Sequence, residues 1–242
     1  MIETPGRFRV LSFDCYGTLI DWETGIWNSL QPLFAVNPGR EHPRSLVLAQ
    51  YAEAESAAET LRPNAGYREI LRIVHRDLAD RLEMETTNAM DQTFSESVGD
   101  WPPFADSREA LAALGDRFKL VILSNVDRLS FAISQKRLGV EFDAIYTAED
   151  IGSYKPDPSN FEYLIVHVRQ DFGVGRAEIL HVAQSLYHDH VPGIAAGLAT
   201  AWIDRQRLSA GGDWGATATV DDPPEPSMVF FTMGELASAL AS

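Results

Sequence analysis

Short apolar runs and longer amphipathic stretches alternate along most of this chain. Residues 8–13 (FRVLSF) form a compact apolar run with β-branched content that stops abruptly at Asp14, which predicts a buried strand. Comparable runs recur at 119–123 (KLVIL), 144–146 (AIY), 179–182 (ILHV), 199–203 (ATAWI) and 228–231 (MVFF). Helical spacing of apolar residues fills the intervals at 107–114, 128–138, 159–168 and 191–197, and again at 234–240 after the last run. Strands alternating with helices predict parallel βαβ units. The fold class expected is therefore α/β, a Rossmann-like doubly wound parallel sheet covered on both faces.

The alternation breaks once. Residues 22–97 contain no convincing strand, only helical patterns at 22–34, 44–61, 66–84 and 87–98, punctuated by Pro38, Pro43 and the Pro63-Asn64 pair. An all-helical insert after the first strand lies over the carboxyl ends of the strands, where open α/β sheets bind ligands. The predicted organisation is an α/β core of residues 1–20 and 99–242 with a helical cap of residues 21–98. Residues 208–226, rich in Gly, Ala, Asp and Pro, read as a surface loop.

Composition narrows the classes of partner. With 45% hydrophobic and 23% charged residues among 242, the chain is ordinary globular material, long enough for one domain with an insertion. A formal charge of -15 repels phosphate backbones and anionic lipids, which argues against nucleic acid and membrane partners. An anionic small substrate then requires a local cation. Residues 1–9 lack the apolar stretch of a signal peptide, and the single cysteine, Cys15, excludes an internal disulfide and a multi-cysteine metal site. Both point to a cytoplasmic location.

Four segments end or follow predicted strands, where functional groups converge in this architecture. In Asp14-Cys15-Tyr16-Gly17-Thr18-Leu19, a carboxylate ends a buried strand and Gly17 permits a tight departure; a plain turn capped by Asp14 is the alternative. Ser124-Asn125 offers hydrogen bonds to a bound carboxylate or phosphate, or else caps the next helix. In Ser153-Tyr154-Lys155-Pro156-Asp157-Pro158, Asp157 and Pro158 form an N-cap and N1 pair, with Lys155 outside the helix. An ammonium about 4 Å from a carboxylate contributes ~4 kcal/mol at an effective dielectric near 20. Such a cation keeps Asp14 ionised; a solvated surface lysine is the commoner fate. Gln184-Ser185-Leu186-Tyr187-His188-Asp189-His190 sets histidine and aspartate side by side, which suits activation of water or, less well, a metal. On an extended chain these neighbours point in opposite directions. Cys15 as a rival nucleophile fails, because the cysteine phosphatase pattern needs an Arg six residues on and Asp21 stands there. His42, His75 and His167 join no constellation, and His181 lies inside a strand and is expected to be buried.

Taken together and in this order, the segments FDCYGTL, LSN, SYKPDP and the Asp189 region resemble the four motifs of the haloacid dehalogenase superfamily over essentially the whole chain. The resemblance implies Asp14 as a nucleophile that forms a covalent ester, Ser124 as a substrate-anion ligand and Lys155 as the cation that steadies Asp14. The phosphatases of that superfamily carry a second Asp two residues after the nucleophile and paired acids for Mg²⁺; here Tyr16 and Ser185 occupy those positions. The Asp-x-Tyr-Gly-Thr form looks instead like the 2-haloacid dehalogenases, which use neither metal nor cofactor. Those enzymes, however, bind the leaving halide with an early cap Arg. Residues 48–59 (LAQYAEAESAAE) hold three Glu and no basic residue, which suits a departing amine.

The likeness is greater to the branch of the family that opens azetidine-2-carboxylate to 2-hydroxy-4-aminobutyrate, on CYGTLIDWETGI, KLVILSN, LGVEFD, GSYKP and SLYHDH. It implies a small carboxylic acid lying against Ser124, Asn125 and the amides near Cys15 and Tyr16. Thr18 and Trp22 belong to the same substrate set, and Glu53 or Glu55 faces the leaving nitrogen. Asp14, Lys155, Asp189 and His188 form the catalytic group, Asp189 activating water with help from His188. A (S)-2-haloacid dehalogenase is the alternative, with a Mg²⁺-dependent phosphatase or a catalytically silent binding protein further behind. Homodimers are common among similar enzymes, so a homodimer is the assembly the resemblance points to.

Overall fold

A computed structural model describes residues 5–213, 216 and 218–241. The remaining positions, which include parts of the expected N-terminal segment and of the 208–226 loop, lie outside the described residues. Six parallel strands, β1 (Val10–Phe13), β2 (Lys119–Ser124), β3 (Ala144–Thr147), β4 (Ile179–Ala183), β5 (Ala199–Ile203) and β6 (Met228–Phe230), form one sheet in the order β3-β2-β1-β4-β5-β6. Every residue of β1 and β4 is buried. That is why these strands read as continuous apolar runs: helices cover both faces of a parallel sheet.

The two faces carry different cores. Leu11, Phe13, Ile122 and Val182 belong to the larger core, which continues up into the inserted helices. Val10, Val121 and Leu123 pack with Phe161 and Leu164 of α9 (Pro158–Phe172) on the other face. Ser12 lies between Val121 and His181 in register, on this second face. Asp14 follows two residues later and so leaves the sheet on the same side.

The insert consists of α1 (Trp22–Ser29), α2 (Gln31–Val36), α3 (Arg44–Leu61), α4 (Tyr67–Arg81) and α5 (Asn88–Ser95). Asp21 starts α1 by accepting from Thr24 N at 3.0 Å, and Thr87 starts α5 in the same way at 3.2 Å. The helix expected over 22–34 is two helices. The break falls at Leu30, because Pro32 cannot donate a backbone hydrogen bond and fits only the first turn of a new helix. The apolar stripe of α3 (Val47, Leu48, Tyr51, Ala54, Ala58) packs against that of α4 (Ile70, Leu71, Val74, Leu78). Each buried Leu or Ile there is worth roughly 1.5–3 kcal/mol of burial. Gly25 of α1 rests on Trp101 so closely that an added Cβ would lie 2.2 Å from the indole Cγ.

The core helices include α6 (Ser107–Gly115), α7 (Arg128–Leu138), the single turn α8 (Ala148–Ile151), α10 (Val191–Ala195) and α11 (Met233–Ala241). Asp157 caps α9 through Ser159 N at 2.9 Å with Pro158 in its first turn, as the sequence pattern predicts. The helix expected over 191–197 ends sooner and is preceded by a π-helical turn, Leu186–His190.

Candidate active site

Asp14 stands at the carboxyl end of the central strand, its backbone N–H paired to Val182 O at 3.0 Å. Gly17, at φ +98°, then turns the chain away in a left-handed conformation that favours glycine. The carboxylate is 7% exposed and faces a pocket of about 110 Å³ between sheet and insert. At roughly 30 Å³ per water that is room for about four waters, which suits a ligand of a few heavy atoms.

Lys155 Nζ lies 2.9 Å from Asp14 Oδ1, 2.6 Å from Asp189 Oδ1 and 3.1 Å from Leu123 O. Three acceptors use all three ammonium protons, so the side chain has one geometry available. Asn125 fixes the lysine backbone from both sides, Lys155 N donating to Oδ1 at 2.7 Å and Nδ2 donating to Lys155 O at 3.0 Å. Burial works against the ammonium, but Asp14 and Asp189 outweigh it and raise Lys155 above the ordinary lysine range. Burial pushes Asp14 above its ordinary value, while the ammonium and the Thr18 hydroxyl pull the other way. Asp189 is also buried, yet Lys155 and His181 hold it well below the usual carboxylate range.

The structure places the expected site residues as follows. Asp14, Lys155, Asp189 and His188 line one pocket, with Ser124, Tyr16, Trp22 and Glu55. The Ser124 hydroxyl is buried and has no hydrogen-bond partner among the described residues, which leaves a donor for an incoming anion. The helix that follows is capped by Asp127 and not by Ser124 or Asn125. Three residues expected against substrate do other work. Thr18 donates to Asp14 Oδ2 at 2.7 Å and accepts from Gln184 N at 2.9 Å, so it orients the Asp14 carboxylate. Cys15 is fully buried among apolar residues, and burial pushes its thiol well up. Asn125 lines the pocket, but its amide is engaged with the Lys155 backbone. The Tyr16 ring lines the pocket while its hydroxyl is held by Ser134 at 2.9 Å.

His188 and Asp189 sit in the π-helical turn, not on an extended chain, and both reach the pocket. Burial lowers His188 to about 4, so its ring is neutral at neutral pH; its Nδ1 pairs with Ser185 Oγ at 3.1 Å.

In the roof the expected Glu55 is joined by Tyr51, Glu59 and Tyr67, which the sequence did not single out. Tyr51, Glu55 and Glu59 are spaced four apart on α3 and form one stripe facing the pocket. Tyr51 and Tyr67 both donate to Glu55 Oε1, at 2.7 and 2.8 Å. Burial and the neighbouring Glu55 raise Glu59 well above its ordinary value. Glu53, the other acid considered for the leaving group, is exposed and faces Arg81 at 3.4 Å. Among the described residues no arginine lines the pocket, and Lys155 is its one permanent cation.

A metal ion of the phosphatase kind does not fit this donor set. Asp14 Oδ1 and Asp189 Oδ1 are bridged by an ammonium, and Tyr16 and Ser185 replace the further acids. Among the described residues no group of three His, Cys, Asp or Glu side chains is placed to share an ion.

The family model for haloacid dehalogenase-like hydrolases matches residues 8–189. The chain belongs to that family. Among solved structures, L-2-haloacid dehalogenase from Xanthobacter autotrophicus with chloropropionic acid covalently bound superposes with a TM-score of 0.78 at 19% identity, covering 96% of this chain and 98% of that one. The magnesium-bound haloacid dehalogenase-superfamily hydrolase YfnB of Bacillus subtilis gives 0.74 at 20% identity, covering 97% and 99%. These likenesses establish the shared fold, a six-stranded parallel sheet with a helical insert. Pyrimidine 5'-nucleotidase YjjG of Escherichia coli is 26% identical over 129 residues, 52% of this chain and 56% of that protein. The chain thus matches little more than half the length of that relative. No described helix is long and apolar enough to cross a membrane.

Proposed function

We propose that this hydrolase acts at carbon 2 of a small 2-substituted carboxylic acid through an Asp14 ester, with residues 21–98 as the lid. The finer reading is ring-opening of L-azetidine-2-carboxylate to 2-hydroxy-4-aminobutyrate. One observation carries it: among the described residues a single pocket holds the Asp14 carboxylate 2.9 Å from Lys155, an unpartnered Ser124 hydroxyl, and a roof with two glutamates and no arginine. A halide leaving group needs a cation or donors above carbon 2. A protonated ring nitrogen needs acceptors, and Glu55 and Glu59 bring carboxyl oxygens to the roof. Although burial raises both groups above their ordinary values, a cation bound between them favours their charged forms.

In this mechanism the substrate carboxylate takes the Ser124 hydroxyl and backbone amides beside Tyr16. Asp14 attacks carbon 2 from the face opposite the nitrogen. The carbon–nitrogen bond breaks as the carbon–oxygen bond forms, and the nitrogen keeps the electron pair and ends as an amine. Asp189 then removes a proton from water, whose oxygen adds to the Asp14 ester carbonyl. The bond from that carbon to the substrate oxygen breaks, the proton passes from Asp189 to that oxygen, and the 2-hydroxy acid leaves with Asp14 restored. His188, neutral and at the pocket edge, assists by hydrogen bonding and not as a cation.

Dehalogenation of an (S)-2-haloacid is the second reading. The comparisons support it better than ring-opening: the solved structures that resemble this chain over its length include several L-2-haloacid dehalogenases, one of which carries chloropropionic acid covalently bound. The ring-opening reading rests on the acidic roof alone. A single panel separates the readings: L-azetidine-2-carboxylate, (S)-2-chloropropionate, fluoroacetate, and p-nitrophenyl phosphate with Mg²⁺. Amine release without halide release supports the proposal. Halide release in preference moves the assignment to the second reading, and phosphate release with Mg²⁺ overturns both. Absence of turnover and of any adduct on Asp14 leaves a binding protein on this fold.

A further inference from the structure

Beneath the pocket lies a buried ionisable group for which the mechanism above has no use. His181 projects from β4 on the face that carries Ser12, its partner in register on β1. Its Nδ1 is 2.9 Å from Ser12 Oγ and its Nε2 is 2.9 Å from Asp189 Oδ1. Neither Ser12 nor His181 has any exposed surface, and the Phe161 ring meets the imidazole edge-on at 5.2 Å. An unbroken row of contacts therefore runs Ser12, His181, Asp189, Lys155, Asp14.

The protons on this row can be assigned. An ionised Asp189 only accepts, so the hydrogen between the two side chains sits on His181 Nε2. With that hydrogen on Nε2, the Ser12 hydroxyl at 2.9 Å is placed to donate to Nδ1, which favours this tautomer. The consequence falls on Asp189. Its Oδ1 accepts from both Lys155 and His181, whereas none of the described residues donates to Oδ2. Saturating one oxygen fixes the carboxylate plane and leaves the other to face the pocket.

We propose that His181 is a positioning residue for the second half-reaction: its Nε2–H pins Asp189 Oδ1 so that Oδ2 remains available to take a proton from the hydrolytic water. The role rests on the ester mechanism proposed above. It touches no substrate and takes no part in the attack of Asp14 on carbon 2. Without His181, Asp189 is free to turn toward Lys155 and close both oxygens on the ammonium. Ester formation then continues while ester hydrolysis slows.

That asymmetry makes the test specific. In an enzyme with an irreversible first step, kcat/KM reports events up to the ester and kcat falls with its hydrolysis. His181→Phe keeps the ring volume against Phe161 but has no donor, whereas His181→Gln keeps an N–H within reach of Asp189. Each is assayed with the substrate that the panel selects, and Asp14 is followed by intact-protein mass. For His181→Phe the account expects kcat lower by about 10–100-fold, the range seen when outer-shell partners are removed. It expects kcat/KM within roughly 3-fold of the native enzyme, KM lowered in step, and an ester on most Asp14 during turnover. His181→Gln restores kcat in large part. Ser12→Ala, which releases the tautomer without touching the imidazole volume, shifts kcat and ester occupancy in the same direction and decides the matter if His181→Phe does not fold. Parallel loss of kcat and kcat/KM with no ester, or no change in either variant, overturns the role of His181. Asp189→Asn separates the deeper failure: it should trap the ester, and if it traps none, the ester mechanism fails and this role with it.

Discussion

Lys155 is the residue on which the chemistry of the pocket turns. Two carboxylates converge on its ammonium, and they can both stay ionised in a buried site only while that charge is present. Because burial raises Asp14 above 3.8, its reactive carboxylate is present at higher pH and is lost as pH falls through the raised value. The acid limb of kcat/KM is therefore expected above the ordinary aspartate value. Lys155→Met should move that limb further up in pH and reduce activity at neutral pH by about 10²–10⁴-fold. A limb that stays in place in this variant contradicts the ion-pair account. His188 gives no limb between pH 6 and 7, because burial has already lowered it to about 4. Asp14→Asn should lower kcat by at least about 10³-fold, measured before any deamidation regenerates the acid.

At the scale of elements, the insert is seated on the core through close contacts of few residues. Gly25 meets Trp101, which itself lines the pocket, so Gly25→Ala should cost about 1–3 kcal/mol by overpacking. Thermal unfolding measures the loss, and KM should rise as the indole is pushed from its place; an unchanged melting temperature and KM contradict that packing. Asp21→Ala removes the cap of α1 and should cost ~1 kcal/mol in the same assay.

The strands were legible in the sequence because burial on both faces demands unbroken apolar runs, and Asp157-Pro158 announced α9 through capping chemistry. The split of α1 from α2 lay in Pro32, which the apolar spacing across 22–34 concealed. The π-helical turn that carries His188 and Asp189 was not legible, since five-residue hydrogen bonding has no composition of its own. The four-residue spacing of Tyr51, Glu55 and Glu59 was visible. Which face of α3 meets the pocket is decided only by its packing on α4. His181 looked like a strand residue because nothing in the run ILHV shows what lies beneath a side chain.

For the whole molecule, a formal charge of -15 and the proposed anionic substrate are reconciled by one buried ammonium and the unpartnered Ser124 hydroxyl in the same pocket. Because the two site carboxylates are bridged by that ammonium, EDTA should leave activity undiminished. Loss of activity that Mg²⁺ restores would contradict this donor set. The fold is that of the haloacid dehalogenase-like hydrolases. The acidic roof ties the proposed amine leaving group to the same pocket as the nucleophile. The central claim, a covalent ester on Asp14, is tested most directly by a single turnover in oxygen-18 water with enzyme in excess, followed by peptide mass spectrometry. The account predicts one heavy oxygen in the Asp14 carboxylate and none in the first-turnover product; heavy oxygen in the product alone would contradict it.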